Sequence, residues 1–303
     1  MILKVLGAGS ATPALGRYPS AFALETESET FLIDCGEGTQ WRMLECNVKH
    51  AKINHIFISH LHGDHFLGLV GLVCTMNSLS RKQPLHIYAP VGLKEILSTQ
   101  FRYQETRIEY DLHIHELAEE NSLVQILETK WLTVSTFPLS HRVPTFGFLF
   151  KEKERLRNII KQQLPENILL QHIHQLKLGN DVYDESGKLL YSNQEYTTPA
   201  PKSLSFAYCS DTCFFEPIVG HVSKVDLLYH EATFLQDKED RAKETFHSTA
   251  KQAATIARMA QVKKLLIGHY SARYKEIEPF LIEAKAEFQN TELAHTGSVV
   301  EIQ

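Results

Sequence analysis

The sequence predicts an α/β fold, a sheet covered by helices, with one segment inserted late in the chain. Three observations carry this. Short apolar, β-prone runs alternate with helix-length patterns over roughly the first 137 residues. Potential metal donors recur where apolar strands end, at His60–His65, His141, Asp211 and His269. Lys151–Ser203 then breaks the rhythm, being polar and interrupted. With 303 residues, 43% of them hydrophobic, the chain can build a full core.

Taken in order, Ile2–Leu6 is a strand ending in Gly7-Ala8-Gly9-Ser10-Ala11-Thr12-Pro13. Such a small-residue loop lets backbone N–H groups approach an anion. A tight turn explains the same residues, and the third glycine of a dinucleotide fingerprint is missing. Ser20–Glu25 and Thr30–Asp34 read as a hairpin, and the chain then turns into a helix carrying Trp41, Leu44 and Val48. Asp34 stands where a helix-capping carboxylate would stand. Asn54–Ile58 is a short buried strand, Phe66–Leu79 a buried helix and Leu85–Ala89 a further strand, after which Pro90 opens a helix over Val91–Phe101. Strands are expected near 109–116, 122–127 and 131–137.

The strand ending at Ile58 runs into His60-Leu61-His62-Gly63-Asp64-His65, three histidines and one aspartate within six positions. His60 and His62 are two apart and point the same way on an extended backbone. Gly63 permits a sharp turn that swings Asp64 and His65 towards a second centre. Imidazole and carboxylate suit Zn²⁺, and four donors at this spacing predict two adjacent ions. Two other His-x-His pairs, His113/His115 and His172/His174, alternate with apolar residues and are expected as solvated faces of half-buried strands.

Further on, His141 follows a strand on a Ser/Pro loop, beside Arg142, which is either a phosphate contact or an exposed charge. The charge run Lys151–Arg157 reads as a solvated helix face, and Thr197–Pro201 as a linker. Ser205–Thr212 reads as an apolar strand ending in Ser210-Asp211-Thr212, with Asp211 either a helix cap or, with two metals nearby, the carboxylate bridging them at the ~3.5–4 Å of two-metal hydrolases. A strand over Val225–Tyr229 leads to His230-Glu231-Ala232-Thr233. His247 precedes a helix over Ala250–Ala260 with Ser248 or Thr249 as its cap, a place suited to phosphate or simply to starting a helix. His269 lies just beyond the last apolar strand, followed by Arg273, a helix over Ile277–Phe288 and the strand Ser298–Ile302.

His60-x-His62-x-Asp64-His65 after a strand resembles the metallo-β-lactamase superfamily. The longer string His60-Leu61-His62-Gly63-Asp64-His65-Phe66-Leu67-Gly68-Leu69 is similar, more narrowly, to the ribonuclease Z family, and the later segments agree in order across nearly the whole chain. The resemblance implies a four-layer αββα sandwich forming one domain over residues 1–303, with 151–203 as an inserted substrate-binding arm. It places His141 with His60 and His62 on one zinc, Asp64, His65 and His269 on the other, and Asp211 between them. It gives Asp34 a supporting role behind the metal loop, Glu231 that of orienting His247, and His247 that of donating a proton. The implied cofactors are two Zn²⁺ per chain, although the same donors accept Mn²⁺ or Fe²⁺. The implied reaction removes 3′ trailers from precursor tRNA and leaves a 3′-hydroxyl, with Asp64 holding or accepting the proton of the attacking water. Arg142, Lys151, Lys153, Arg155, Arg157, Lys161 and Arg273 are the implied substrate contacts, and the family's usual state is a homodimer. The arm lacks the family's Gly/Pro-rich tip; Leu164-Pro165-Glu166-Asn167 is the nearest equivalent.

Composition bounds these expectations. The formal net charge of −5 gives no overall basic signature for nucleic acid, but bound cations add local positive charge. Five cysteines without a CxxC spacing fit a reducing cytoplasm. The N-terminus reads as a strand rather than a signal peptide, and no apolar run approaches the ~20 residues of a membrane span. The competing reading is a binuclear-zinc hydrolase of a small phosphodiester or other ester. A non-enzymatic RNA-binding module would be marked by lost donors, and every expected donor is present.

Overall fold

The strands Ser205–Cys209 and Leu265–Gly268 are short, almost wholly apolar and largely buried runs, as strands covered on both faces must be. A computed structural model describes residues 1–118, 120 and 122–303. It divides into two compact units, one of Met1–Glu128, Val134–Phe150 and Ser205–Gln303, the other of Thr129–Thr133 and Lys151–Leu204.

Two seven-stranded sheets dominate. The first is built from β1 (Ile2–Gly7), β2 (Ala21–Glu25), β3 (Thr30–Ile33), β4 (Ile53–Phe57), β5 (Leu85–Pro90), β6 (Leu112–Leu117) and the last strand of the chain, Val299–Glu301, which pairs with β1. From β3 to β6 the pairing is parallel. The second holds β7 (Val124–Glu128), β8 (Leu132–Pro138) and β9 (Phe146–Glu152), and then four later strands. Between them in sequence come the short strands β10 (Asn158–Ile159), β11 (Val182–Tyr183), β12 (Leu189–Tyr191) and β13 (Thr197–Thr198) of the smaller unit. The later strands are β14 (Ser205–Cys209), β15 (Leu227–Glu231), β16 (Leu265–Gly268) and β17 (Thr291–Leu293), paired in parallel.

Aromatic rings fill the space between the sheets: Phe22 meets Tyr229 at 4.6 Å, Phe57 meets Phe148 at 5.3 Å and Phe31 meets Phe150 at 5.7 Å between centroids. Outside the first sheet, Leu69, Leu72, Val73 and Met76 of one helix and Leu93 and Leu97 of another join Ile56, Ile58 and Ile87 in a second core. Outside the second sheet, Ala253, Ile256 and Ala257 join Leu228, Leu265 and Ile267 in a third. The result is the expected αββα sandwich, with the carboxyl ends of β4, β14, β15 and β16 opening onto one region, where open parallel sheets place their ligands.

Several local expectations fail for identifiable reasons. His172 and His174 lie on the helix Leu170–Lys177, not on a strand; alternation over five residues is too short to separate the two periods. The charge run ends β9 and continues as irregular chain to β10 instead of forming a helix. Pro90 closes β5, and the next helix, Leu93–Tyr103, starts after Gly92, whose φ of 105° is the left-handed turn. Part of the supposed linker, Thr197–Thr198, pairs with β10. The helix expected from Phe66 is two pieces, Gly63–Phe66 and Gly68–Ser78. A side chain at Gly68 would meet the Gly36 carbonyl at 2.2 Å, so the loop and helix after β4 can approach the 35–36 turn only with glycine there. Among the described residues no helix is long and apolar enough to cross a membrane.

Candidate metal centre

Hydrogen bonds behind the histidines fix which ring nitrogen faces forward, because a donated N–H leaves the lone pair on the other nitrogen. His65 Nδ1 donates to Asp34 Oδ2 at 2.7 Å, His141 Nδ1 to the Phe246 carbonyl at 2.8 Å and His269 Nδ1 to Thr233 Oγ1 at 2.9 Å. His60 Nδ1 is held by Ser59 Oγ at 3.0 Å. The forward nitrogens then converge. His60 Nε2 lies 3.0 Å and His141 Nε2 3.2 Å from His62 Nδ1. Asp211 Oδ2 is 3.5 Å from His60 Nε2 and 3.9 Å from His141 Nε2. On the other side His65 Nε2 and His269 Nε2 are 3.4 Å apart, each 3.4–3.5 Å from Asp64 Oδ2 and 3.3–3.5 Å from Asp211 Oδ1. Thus two donor groups, His60/His62/His141/Asp211 and Asp64/His65/His269, meet at Asp211, and a third grouping joins Asp211, His247 and His269.

The donor set fits divalent cations. Lone pair facing lone pair is repulsive unless a positive charge lies between, and these spacings suit bonds of about 2.0–2.2 Å. Asp211 Oδ1 is buried without a hydrogen-bond partner. Burial pushes the pKa values of His60, His62 and His141 down, keeping their lone pairs free. Burial would raise Asp64 and Asp211, but the surrounding histidines outweigh it and hold both carboxyls below the usual range. Burial also opposes charge on His65, yet Asp211, Asp64 and Asp34 together lift its pKa well above the ordinary value. This is a pocket that calls for positive charge.

Asp34 is not a helix cap. Its buried carboxylate accepts from Ser59 N at 2.7 Å, Ser59 Oγ at 2.9 Å, Tyr208 Oη at 2.7 Å and His65, bracing the metal loop from four sides. Asp34 and His269 have φ values of 54° and 65°, a left-handed backbone costing about 1–2 kcal/mol each. The turn after His269 is held by Arg17, whose guanidinium donates to the carbonyls of Ser271, Tyr274 and Lys275. Arg17 was invisible in the sequence, since it acts on a turn brought close only by folding, and the reach of Ser59 to Asp34 and of Thr233 to His269 is likewise a product of folding.

Beside the donors stands a proton-handling pair. Glu231, fully buried at the end of β15, accepts from Thr212 N, Thr233 N, Thr233 Oγ1 and Ser248 N, and from His247 Nδ1 at 2.9 Å. Burial would lower the pKa of His247, but the Glu231 carboxylate, its hydrogen bond, and Asp211 and Asp64 raise it to about 9. Phe246, at φ 57°, ends the preceding helix and turns His247 inward, and Thr249 caps the following helix in a capping box with Gln252. His247 lines a cavity of about 390 Å³ with Asp64, Asp211, Arg142, Arg241 and Arg273. Arg241 is an addition to the expected rim; Arg273 lies 5.2 Å over the Phe234 ring. In the smaller unit Arg157 Nε is committed to Thr197 Oγ1 at 2.8 Å and Arg155 sits 3.8 Å from Glu152, while Lys151 and Lys161 are exposed.

Comparison with known proteins agrees with this geometry. Residues 1–175 match the family model described as Anti-Pycsar protein Apyc1, and so belong to that family. Ribonuclease Z of Cytophaga hutchinsonii is 50% identical over 98% of this chain and 94% of its own length. Ribonuclease Z of Bacteroides fragilis is 42% identical over 96% of each. The crystal structure of human tRNase Z, short form, matches with a TM-score of 0.73 at 28% identity, covering all of both chains. Full-length identity at this level, on a fold whose strand ends gather these donors, makes the chain a member of the ribonuclease Z family.

Proposed function

We propose that this protein removes 3′ trailers from tRNA precursors, cutting after the discriminator nucleotide to leave a 3′-hydroxyl on the tRNA. As a ribonuclease Z it is a metal-dependent phosphodiester hydrolase. The observation that carries the reading is the meeting of both donor groups at Asp211, within one cavity that the Glu231-oriented His247 also lines.

His60, His62 and His141 would hold one divalent ion and Asp64, His65 and His269 a second, with the Asp211 carboxylate facing both donor groups. Two bound zinc ions would supply Lewis acidity and lower the pKa of water to about 7. Asp64, kept ionised by its histidines, orients the attacking water and takes its proton. His247, kept protonated by Glu231, gives a proton to the departing ribose oxygen. Arg142, Arg241 and Arg273 at the cavity hold the flanking phosphates. Their local charge answers the net charge of −5. The smaller unit, with Lys151, Lys153, Arg155, Arg157 and Lys161, serves in this reading as the arm that grips the tRNA body.

The apolar side chains Trp41, Leu44 and Leu67 are 58–71% exposed, and we infer that a second copy of the chain covers them in a homodimer. All five cysteines are unpaired, in keeping with a reducing cytoplasm.

The test is incubation of the zinc-loaded protein with a 3′-extended tRNA precursor beside bis(p-nitrophenyl) phosphate. Trimming at the discriminator, abolished by chelation, supports the proposal. Hydrolysis of the small diester alone would transfer it to the small-substrate reading.

A further inference from the structure

The smaller unit carries an exposed tryptophan outside the expected set of RNA contacts. Thr129–Leu132 is a tight turn leading into β8. Thr129 N donates to the Leu132 carbonyl at 2.9 Å, and the Thr129 hydroxyl accepts from Trp131 N and Leu132 N, each at 3.2 Å. The turn buries Leu132 and presents Lys130 and Trp131 to solvent, Trp131 being 43% exposed. Two cations lie over the indole: Lys130 Nζ at 4.4 Å and the Arg155 guanidinium at 5.9 Å from a ring centroid. Backbone pairing adds two more. Lys153 N donates to the Trp131 carbonyl at 2.9 Å, and Ser203 Oγ donates to the Lys153 carbonyl at 3.0 Å, which sets Lys202 one residue from that pair. Three stretches distant in sequence thus bring four cations around one aromatic ring, all within the smaller unit.

We propose that Trp131, with Lys130 and Arg155 over its ring and Lys153 and Lys202 beside it, is a preorganised surface for the phosphate backbone of the tRNA body. The proposal rests on precursor tRNA being the substrate and names where that substrate is gripped. A carboxylate neutralises the cation it holds; an aromatic face holds a cation through its quadrupole and leaves the charge in place. The ring therefore steadies two long side chains without cancelling them, and less freedom is lost when they meet phosphate. Glu152, 3.8 Å from Arg155, is buried and turned to the backbone, where it accepts from Leu204 N at 3.1 Å. The charge balance points the same way: Lys and Arg outnumber Asp and Glu in the smaller unit, whereas the whole chain carries a net −5. Such contacts are indifferent to base sequence and weaken with salt, as suits an enzyme that must hold many tRNA bodies alike.

The test titrates full-length, zinc-loaded protein with a tRNA ending at its discriminator nucleotide, which offers the RNA body and no bond to cut. Trimming of a 3′-extended precursor is measured on the same preparation. Trp41 and Trp131 are the chain's two tryptophans, so intrinsic fluorescence reads the surface directly. Emission should change as tRNA binds, and the change should be lost in Trp131→Phe. That variant keeps an aromatic face and should keep most of the affinity, whereas Trp131→Ala should raise Kd about 10-fold. Lys130→Gln should weaken binding and lower the slope of log Kd against log salt by about 1. Should Trp131→Ala fail to fold, the exposed turn variant Lys130→Gln and the Trp131→Phe spectrum still decide the matter. Correct trimming by the parent, with affinity and salt slope unchanged in both Trp131→Ala and Lys130→Gln, would overturn this surface and leave the tRNA-processing reading standing. A parent protein that neither binds tRNA nor trims the precursor would overturn both. An equal emission change with poly-L-glutamate would make the patch a general polyanion surface and overturn its assignment to RNA.

Discussion

Two histidine clusters on one chain use the same side chain in opposite geometries. In the donor group His60, His62 and His141 the rings meet nearly at right angles: His60 and His62 at 82°, His62 and His141 at 84°, His60 and His141 at 70°. Across β4, β5 and β6 the rows His55, His86, His113 and Phe57, Tyr88, His115 stack with neighbouring rings 10–19° from parallel. Perpendicular rings aim their lone pairs at a common point; parallel rings aim them side by side. The first cluster also holds Asp34, Asp64 and Asp211 among its imidazoles, each within 3.5 Å of a ring nitrogen, while the ring contacts of the second involve only other rings. The carboxylates, rather than the number of histidines, separate a site able to hold two ions and do chemistry from a stack of rings that contact only one another.

The comparison is broken most severely by removing the carboxylate that faces both donor groups. Asp211→Ala should reduce precursor cleavage by at least about 10³-fold and lower the bound metal measured on the purified protein. Retention of both ions and of activity would mean that the convergence is incidental. A smaller effect is expected at His247, which stands in the converging cluster without being needed to hold either proposed ion. His247→Ala should slow cleavage by about 10²–10⁴-fold with metal content unchanged. If metal is lost as well, the grouping of Asp211, His247 and His269 is the one in use, and the role of proton donor passes elsewhere. Smaller again is the effect of Asp34→Asn, which keeps the shape but removes the charge behind His65 Nδ1. Metal affinity should fall about 10–100-fold, read by competition with a chelator; an unchanged affinity would reduce Asp34 to scaffolding.

Those three residues also mark how far the sequence could be read. His60 to His65 are consecutive, so their chemistry survives without any tertiary knowledge. Asp211 and His269 end apolar strands, and strand ends are where an α/β sheet places its ligands. Asp34 was legible as important but not as a brace, because Ser59 and Tyr208 reach it from 25 and 174 residues away. Thr233 stood in the string His230-Glu231-Ala232-Thr233 without a role of its own: its hydroxyl donates to Glu231 and accepts from His269, and the second contact exists only because β15 packs beside β16. The smaller unit was read least well, since its elements are two to eight residues long and too short for periodicity to tell helix from strand.

The weakest expected effect sharpens the other side of the comparison. His55 is held at a pKa of about 4 against an ordinary 6.5, by burial first and then by the charges of His86, His115 and Arg81. Its folded-state pKa is depressed, so the unfolded chain takes up the proton first as pH falls. The folded state therefore keeps its full stability above about pH 6.5 and loses this part of it progressively between 6.5 and 4. His55→Phe, which preserves a ring between Phe31 and His86, removes the titration. The difference in urea-unfolding free energy between pH 7 and pH 5 should then be smaller in the variant than in the parent protein. An equal difference in the two proteins would show that the acid sensitivity comes from the converging carboxylate-rich cluster alone. The sheet-edge histidines would then stack without being electrostatically coupled, and their parallel geometry would cost the fold nothing when they charge.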